Sequence, residues 1–427
     1  MGRYIKHVFC VIAAIACFYT PDAFAQQGSD FLRDSELYLR ANYYGRYRST
    51  QNDRNEIKVN VLALAVDYKS GYALGMFGVD ASAYTNFGHG KGMSELLDYR
   101  GGGADDPRVD KHDEPISSIN IIAGKFKLED AGYKLFVRAG LTPLDVGTIG
   151  TSGGLHSHSY RGAELKLEYM DLQIGYAIAD KFNPEWKRGS RDMETDEGDI
   201  EFIHTAGIRY EFGDEDKAFF DGGVGQGWDY RNNAQAVLCY PVREGNNVMT
   251  FTGYGFWGKY YGDKSHGSDN EYHLGISADL DYEKTLMVKV GYSYTWAPDS
   301  AEMNFRLTPW GQSDNRNFIR TAAQLDDFVW HNESVVKGNL DINLDRYLDF
   351  KGLMVGVGYW RGWNIENGRG QTTSWELDYY AYYEIPEGKL KGLNFGVYMA
   401  HLRFNDFYGK QDRNDIKGIV GYTYRLF

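Results

Sequence analysis

Tight polar turns and long polar loops alternate along this chain, and that punctuation constrains the fold more than its composition does. Tight connections are read at Lys69-Ser70-Gly71, Glu129-Asp130-Ala131-Gly132, Met170-Asp171, Gly213-Asp214-Glu215-Asp216-Lys217 and Tyr282-Glu283-Lys284-Thr285. Long loops fall near 86–115, 143–159, 181–199 and 297–333. Between them run about eighteen amphipathic segments of strand length. One end of every hairpin must face a confined compartment and the other open space, where loops are free to lengthen. The expected fold is therefore all-β: a transmembrane antiparallel β-barrel of about 18 strands, with short periplasmic turns and long extracellular loops.

The segments themselves alternate with a period of two. Leu37, Leu39, Ala41 and Tyr43 share one face, and Arg40, Asn42, Tyr44 and Arg46 share the other. Further on, Tyr272, Leu274, Ile276, Ala278 and Leu280 oppose Glu271, His273, Ser277, Asp279 and Asp281. Near the end, Val420, Tyr422, Tyr424 and Leu426 oppose Lys417, Thr423 and Arg425. Such a pattern suits strands crossing an apolar slab at a tilt, with the apolar set against lipid and the polar set around a water-filled interior. Passage of small hydrophilic solutes is the expected activity. A charged fraction of 25% resembles a soluble protein, but only alternate residues of a barrel meet lipid. The counts of 34 Tyr, 9 Trp and 51 Gly against 9 Pro fit interfacial aromatic girdles and ladders kept free of proline. A soluble β-sandwich is the competing reading of the same strand and turn signals.

Residues 1–25 read as a secretory leader: Arg3 and Lys6 at the start, an apolar run from Val8 to Phe18, and Ala23-Phe24-Ala25 as the cleavage site. That run is too short to span a bilayer as a helix. Cys17 does not read as a lipidation site, because Ala14-Ile15-Ala16 before it lacks the usual Leu. Residues 26–427 are then one barrel domain holding a single cysteine, Cys239, so no internal disulfide is expected. The net charge of −13, one unit more negative without the leader, argues against a nucleic-acid partner.

Closure of a barrel pairs the first strand with the last, which puts Arg40, Arg46, Lys417 and Arg425 on one lumen wall. His401 and Arg403, on the penultimate strand, are expected to join them. Asp279, Asp281, Asn339, Asp341, Asn343, Asp345, Glu376, Asp378 and Glu384 are expected to form an opposing acidic wall. Opposed walls orient dipolar solutes, whereas the plainer alternative is that neighbouring charges neutralise each other. Segment 141–159 is small, flexible and uncharged apart from Asp145, so it is expected to fold inward and narrow the pore, with Pro143 at its start. His156 and His158 are placed at the eyelet or its rim. Two histidines without a third ligand are a weak metal signal, and neither metal nor cofactor is expected. His204, His266, His331 and His401 are scattered and no G-x-S-x-G elbow occurs, so no catalytic group is assigned. Trp310 and Trp330, in the aromatic loop 297–333, are candidates for stacking on sugar rings; the alternative is that this loop packs its own plug over the barrel mouth.

Phe31-Leu32-Arg33-Asp34-Ser35, followed by Leu37, Leu39-Arg40 and Asn42-Tyr43-Tyr44, resembles the N-terminal signature of the OprD-type outer-membrane porins. Asp67-Tyr68-Lys69-Ser70-Gly71-Tyr72 with Gly78-Val79-Asp80-Ala81 is similar to that family's first periplasmic turn and third strand. Arg138-Ala139-Gly140, Pro143 and Tyr160-Arg161-Gly162-Ala163-Glu164 resemble the strands flanking its constriction loop. The resemblance covers the mature chain and implies eighteen strands, a Gram-negative outer membrane as location, and Arg40 among the lumen-lining bases; Arg138 is a further pore-lining candidate. Met76-Phe77-Gly78-Val79-Asp80, Leu307-Thr308-Pro309 and Asp326-Asp327-Phe328-Val329-Trp330-His331-Asn332 look closest to the chitoporin branch. That branch implies passage of chito-oligosaccharides, where others pass basic amino acids, small peptides or aromatic carboxylates. Implied partners are the lipid bilayer, the solute, and the barrel assembly machinery through the terminal Phe427; a homotrimer is left open. Arg425, Thr423 and Gly421 depart from the apolar residues usual at those alternate positions.

Overall fold

The structure, a computed structural model, describes residues 29–50, 56–91, 115–151, 154–185, 189–195, 198–213, 216–263, 270–298, 305, 319–349, 351–366, 370–405 and 412–427. The expected leader and Trp310 lie outside the described residues. A helical turn at Ser29–Arg33 precedes the strands. These are β1 (Glu36–Thr50), β2 (Ile57–Lys69), β3 (Phe77–Lys91), β4 (Ile116–Asp130), β5 (Tyr133–Thr142), β6 (Ser159–Tyr169), β7 (Leu172–Asn183), β8 (Met193–Thr195), β9 (Gly198–Ile200) and β10 (Ile203–Phe212). They continue with β11 (Ala218–Gly227), β12 (Arg231–Glu244), β13 (Asn247–Tyr260), β14 (Asn270–Tyr282), β15 (Leu286–Trp296), β16 (Ser334–Asn343), β17 (Leu353–Glu366), β18 (Gln371–Glu384), β19 (Asn394–Asn405) and β20 (Arg413–Arg425). All but β8 and β9 form one 18-stranded sheet. Those two make a separate hairpin inside the β7–β10 connection, a stretch that reads as plain loop in the sequence.

The sheet closes on itself because β1 pairs with both β2 and β20. Beyond the last strand, the Leu37 amide donates to the Phe427 carbonyl at 3.3 Å and the Leu426 amide donates to Leu37 at 2.8 Å, so the seam is hydrogen-bonded to the end. Closure leaves the sheet no open edge, the condition for it to exist in hydrocarbon. It also excludes the competing sandwich. No described helix is long and apolar enough to cross a membrane.

The tight connections gather at one end, the turn end. Several turn there through left-handed backbone, at Ala131 (φ 45°), Met170 (φ 53°), Glu283 (φ 52°) and Lys284 (φ 58°), which matches the twist of the flanking strands. Exposed apolar side chains occupy one face of each strand: Leu39 and Tyr43 on β1, Ile174 and Tyr176 on β7, Leu274 and Ile276 on β14, Val397 and Met399 on β19. This is the outward band. Tyr133 and Tyr169 stack on neighbouring strands at the turn end, with centroids 4.3 Å apart, as an interfacial girdle would.

The inward face departs from the polar lining expected. On β2 the inward residues are Val59, Val61, Ala63 and Ala65, all buried. Leu155, Tyr84 and Tyr44 pack with this stretch, so something covers it from inside the barrel. A strand covered on both faces needs apolar residues on both, and the nearly unbroken run Val59–Val66 supplies them.

Candidate functional site

Two inward-folded loops and the charged strand faces below them make the site. The first loop, 143–158, leaves β5 and runs onto the inner wall of β10 to β12. Leu144, Val146 and Ile149 are buried in a cluster with Tyr160, Phe182 and Ile203. The seat is made by glycines: a Cβ on Gly223 would stand 2.4 Å from Gly147 Cα, and one on Gly207 2.5 Å from the Gly147 amide nitrogen. Backbone lies directly on backbone there, which only glycine permits. Gln235 Nε2 donates to the Gly147 carbonyl at 2.9 Å, and the Thr148 amide donates to Thr205 Oγ1 at 2.8 Å.

The returning half of the loop reaches the opposite wall. Glu185 accepts from the amides of Gly154, Leu155 and His156 at 2.9, 2.7 and 2.6 Å. Asn42 Nδ2 donates to the Leu155 carbonyl at 3.3 Å and Asn120 Nδ2 to the Ser157 carbonyl at 2.6 Å. His156 is buried, stacked on Tyr84 with ring centroids 4.2 Å apart and 2.7 Å from Asn86 Oδ1. Burial lowers its pKa from the ordinary 6.5 to about 3, so it stays neutral. His158 is also buried, its ring edge-on to Phe182 at 5.3 Å and 3.9 Å from Glu185 Oε1. Segment 141–159 therefore does enter the lumen, but its histidines fasten it to the wall rather than lining an open eyelet. Asp145 takes part through its backbone amide, which donates to Glu164 at 3.1 Å.

The second loop, 319–333, carries its own apolar packing. Phe328 is buried against Val335 and Trp360, and Trp330 against Ile365 and Phe404. Trp330 is 7% exposed and its indole N–H donates to Asp326 at 3.0 Å. A ring so placed is not open to a sugar, so the structure corrects the stacking assignment for Trp330 in favour of the plug. Glu376 is fully buried and accepts from the amides of Leu325 and Asp326 at 2.7 and 3.0 Å, while Asp378 accepts from the Gln324 amide at 3.2 Å. These carboxylates on β18 tether a loop instead of facing open water. Glu333 accepts from the Trp330 amide at 3.1 Å, and burial pushes its carboxyl well above the usual carboxylate range.

The walls are interleaved rather than opposed. Arg40 Nη2 donates to Asp67 at 3.1 Å, and Ser82 Oγ donates to the same carboxylate at 2.6 Å. Arg46 and Arg48 share Asp415, each placing its Nε at 2.8 Å. Lys417 is one rung away, its ammonium 5.4 Å from the centre of the Tyr398 ring. Arg425 lies exposed at the turn end, 3.2 Å from Glu36. Among the acids, Asp341 is 2.9 Å from Lys289, and Asp279 stands opposite Lys289 in the ladder. Oppositely charged partners thus lie within each wall.

Arg138 is the exception. Its guanidinium is 4.0 Å from both Asp80 and Glu164, beyond hydrogen-bonding distance, whereas Lys125 takes Asp80 at 2.7 Å. Arg138, Arg40, Asp67, Asp80, Tyr38 and Pro143 help to line a cavity of about 450 Å³ on the turn side of loop 143–158. His401 and Arg403 do not join the basic wall. They stand opposite Leu377 and Trp375 and share the parity of the exposed Val397 and Met399, so they point outward. The inward positions between them and beside them, Ala400 and Leu402, are buried. Glu185, Asn86 and Gln235 were not singled out in the sequence, since single polar residues in loops and strands carry no local signature.

Residues 29–426 match the family described as outer membrane porin, OprD family. The chitoporin of Escherichia coli strain K12 is similar at 23% identity over 452 residues, covering 93% of each chain. Among solved structures, Pseudomonas aeruginosa OpdQ superposes with a TM-score of 0.76 at 17% identity, covering 92% of this chain and all of that one. Pseudomonas aeruginosa OpdK, solved with vanillate, gives a TM-score of 0.75 at 17% identity, covering 93% of this chain and all of that one.

Proposed function

The chain belongs to the OprD family of outer membrane porins, and on that premise we propose that it passes short amino-sugar oligosaccharides through the cavity beneath loop 143–158. The family and the fold are those of channels. What supports the solute is the mixed lining of that cavity: Arg40 beside Asp67, with Arg138 near Asp80, presents donors and acceptors together. Hydroxyl and acetamido groups both donate and accept, so such a lining exchanges hydrogen bonds with them along the way. The likeness to a chitoporin agrees with this. Trp330 contributes nothing to it, being part of the second loop's packing.

A second reading, a carboxylate solute, rests on Arg138 alone. A guanidinium held 4.0 Å from its nearest acids has donors to offer, and it is built to take a carboxylate in two-pronged fashion. OpdK, with vanillate, is a relative of that kind. Basic amino acids are a weaker third choice, since the acids of both walls are already paired.

Planar-bilayer conductance of the purified barrel separates these readings. Chito-oligosaccharides should block the current saturably, and benzoate-type carboxylates, lysine and arginine should not. Block by carboxylates that is lost in Arg138→Gln would install the second reading. Absence of any channel from correctly folded protein would remove both.

A further inference from the structure

The outward placement of Arg403 exposes a row that the lumen does not use. Arg361 on β17 stands opposite Trp375 on β18, and Trp375 stands opposite Arg403 on β19. Three neighbouring strands thus carry Arg, Trp and Arg side by side, about 5 Å apart from one strand to the next. All three share the parity of outward residues: Arg361 follows Val357 and Tyr359, and Arg403 follows Val397 and Met399. The strands β17 and β19 rise from the turn end, so the row sits immediately above the outward apolar band, on the loop side. His401 lies one rung below Arg403, 2.8 Å from Asn414 and edge-on to Tyr379.

The two guanidiniums differ in what they already hold. Arg403 is fixed: Nη1 donates to the carbonyls of Leu402 and Arg413 at 2.8 and 3.0 Å, and Nη2 to Asn414 at 2.7 Å. Among the described residues, the acid beside it is Asp412, 3.7 Å from Nε. Its guanidinium carbon is 5.9 Å from the centre of the Trp375 ring. Arg361 donates only once, from Nη2 to Thr373 Oγ1 at 3.3 Å, and no acid among the described residues lies within ion-pair distance of it. A half-buried arginine with four unused N–H donors at a membrane interface is costly unless an anion meets it.

We infer that this row binds the phosphate of a phosphorylated glycolipid in the outer leaflet. A planar fork matches phosphate oxygens two at a time, and Trp375 anchors at the same depth with its ring against the acyl–headgroup boundary. Basic clusters at that level attract anionic headgroups with a strength that grows with each cation. The inference rests on the loops facing outward in an outer membrane and is independent of which solute the lumen passes.

The test is native mass spectrometry of the full barrel in detergent, titrated with bisphosphorylated lipid A, its dephosphorylated form, or inorganic phosphate. Wild type should hold the phosphorylated lipid about tenfold more tightly than Arg361→Gln/Arg403→Gln does. The dephosphorylated lipid should bind both alike, and inorganic phosphate should not compete at equal concentration. Equal binding of phosphorylated lipid to wild type and variant overturns the site, as does full displacement by free phosphate. Arg361→Gln alone, which removes one hydrogen bond to Thr373, serves if the double variant does not fold. Bilayer conductance of the same samples should be unchanged, so a failed channel and a failed lipid site are told apart.

Discussion

The two loops that enter the lumen are tethered alike and seated differently. Both hang from carboxylates that accept backbone amides: Glu185 holds residues 154–156, and Glu376 with Asp378 holds residues 324–326. Beneath Gly147 the barrel wall is stripped to glycine, so loop 143–158, besides burying Leu144, Val146 and Ile149, depends on a backbone fit to that wall. Loop 319–333 instead brings Phe328 and Trp330 and packs into the inner faces of β16 to β19. One loop is specified mainly by the wall, the other mainly by itself. The difference predicts which mutations loosen which loop.

The largest effects should come from the seats. Phe328→Ala empties a buried aromatic site and should cost loop 319–333 about 3–5 kcal/mol of anchoring, leaving loop 143–158 in place. Gly223→Ala should do the reverse, at about 1–3 kcal/mol or more, because the obstacle is the Gly147 backbone and cannot swing aside. Gly124→Ala is the control, since a Cβ there meets nothing within 4 Å. Amide hydrogen exchange in the two loops reads both, with single-channel conductance rising in whichever variant frees its loop. Equal loosening of both loops by either change would break the contrast.

The tethers should weaken next, and alike. Glu185→Gln and Glu376→Gln each replace an oxygen that accepts a backbone amide with an NH2 that cannot, so each should cost its own loop about 1–3 kcal/mol. Protease cleavage rates within each loop would show it. A much larger effect at Glu185 would mean the glycine seat contributes little.

Proton concentration should move the loops in opposite directions. His156 has its pKa lowered by burial from 6.5 to about 3, so the seated loop binds that proton more weakly than the released one. Its contribution is full above about pH 6.5 and is lost as pH falls toward 3. Glu333 is raised above its ordinary 4.5 by burial, so its contribution is full below that value and is lost as pH rises. Lowering the pH from about 8 to about 5 should therefore reduce protection in loop 143–158 and raise it in loop 319–333. A common trend in both loops would show that other groups control them.

The same contrast explains what could be read from the sequence. The barrel, its closure and the inward course of 141–159 were legible because alternation and glycine-rich, uncharged composition act locally. The glycine seat was not, because Gly207 and Gly223 gain meaning only when Gly147 is brought against them from another part of the chain. Polarity alone misplaced His401 and Arg403: the parity set by Phe395, Val397 and Met399 already pointed outward, and polar residues also belong at the rim of a lipid-facing band. Glu376 and Asp378 read as lumen acids because nothing local to β18 announces a loop arriving 50 residues earlier in the chain to use them.

The smallest effect separates loops from walls. Among the wall charges, neutralising Arg138, which stands 4.0 Å from each acid, should alter ion selectivity the most. A unit charge acts on an ion 4 Å away with about 1 kcal/mol in a water-like medium, so Arg138→Gln should reduce anion preference by up to about fivefold. Arg40→Gln removes the partner of Asp67 and frees a carboxylate, so it too should shift selectivity toward cations, whereas Arg425→Gln acts at an exposed site at the turn end and should barely register. Reversal potentials in a salt gradient measure all three. None of these three arginines donates a hydrogen bond to either loop, so hydrogen exchange in 143–158 and 319–333 should stay close to wild type. A selectivity change at Arg138 accompanied by loosening of loop 143–158 would show that this arginine holds the constriction rather than the passing ion.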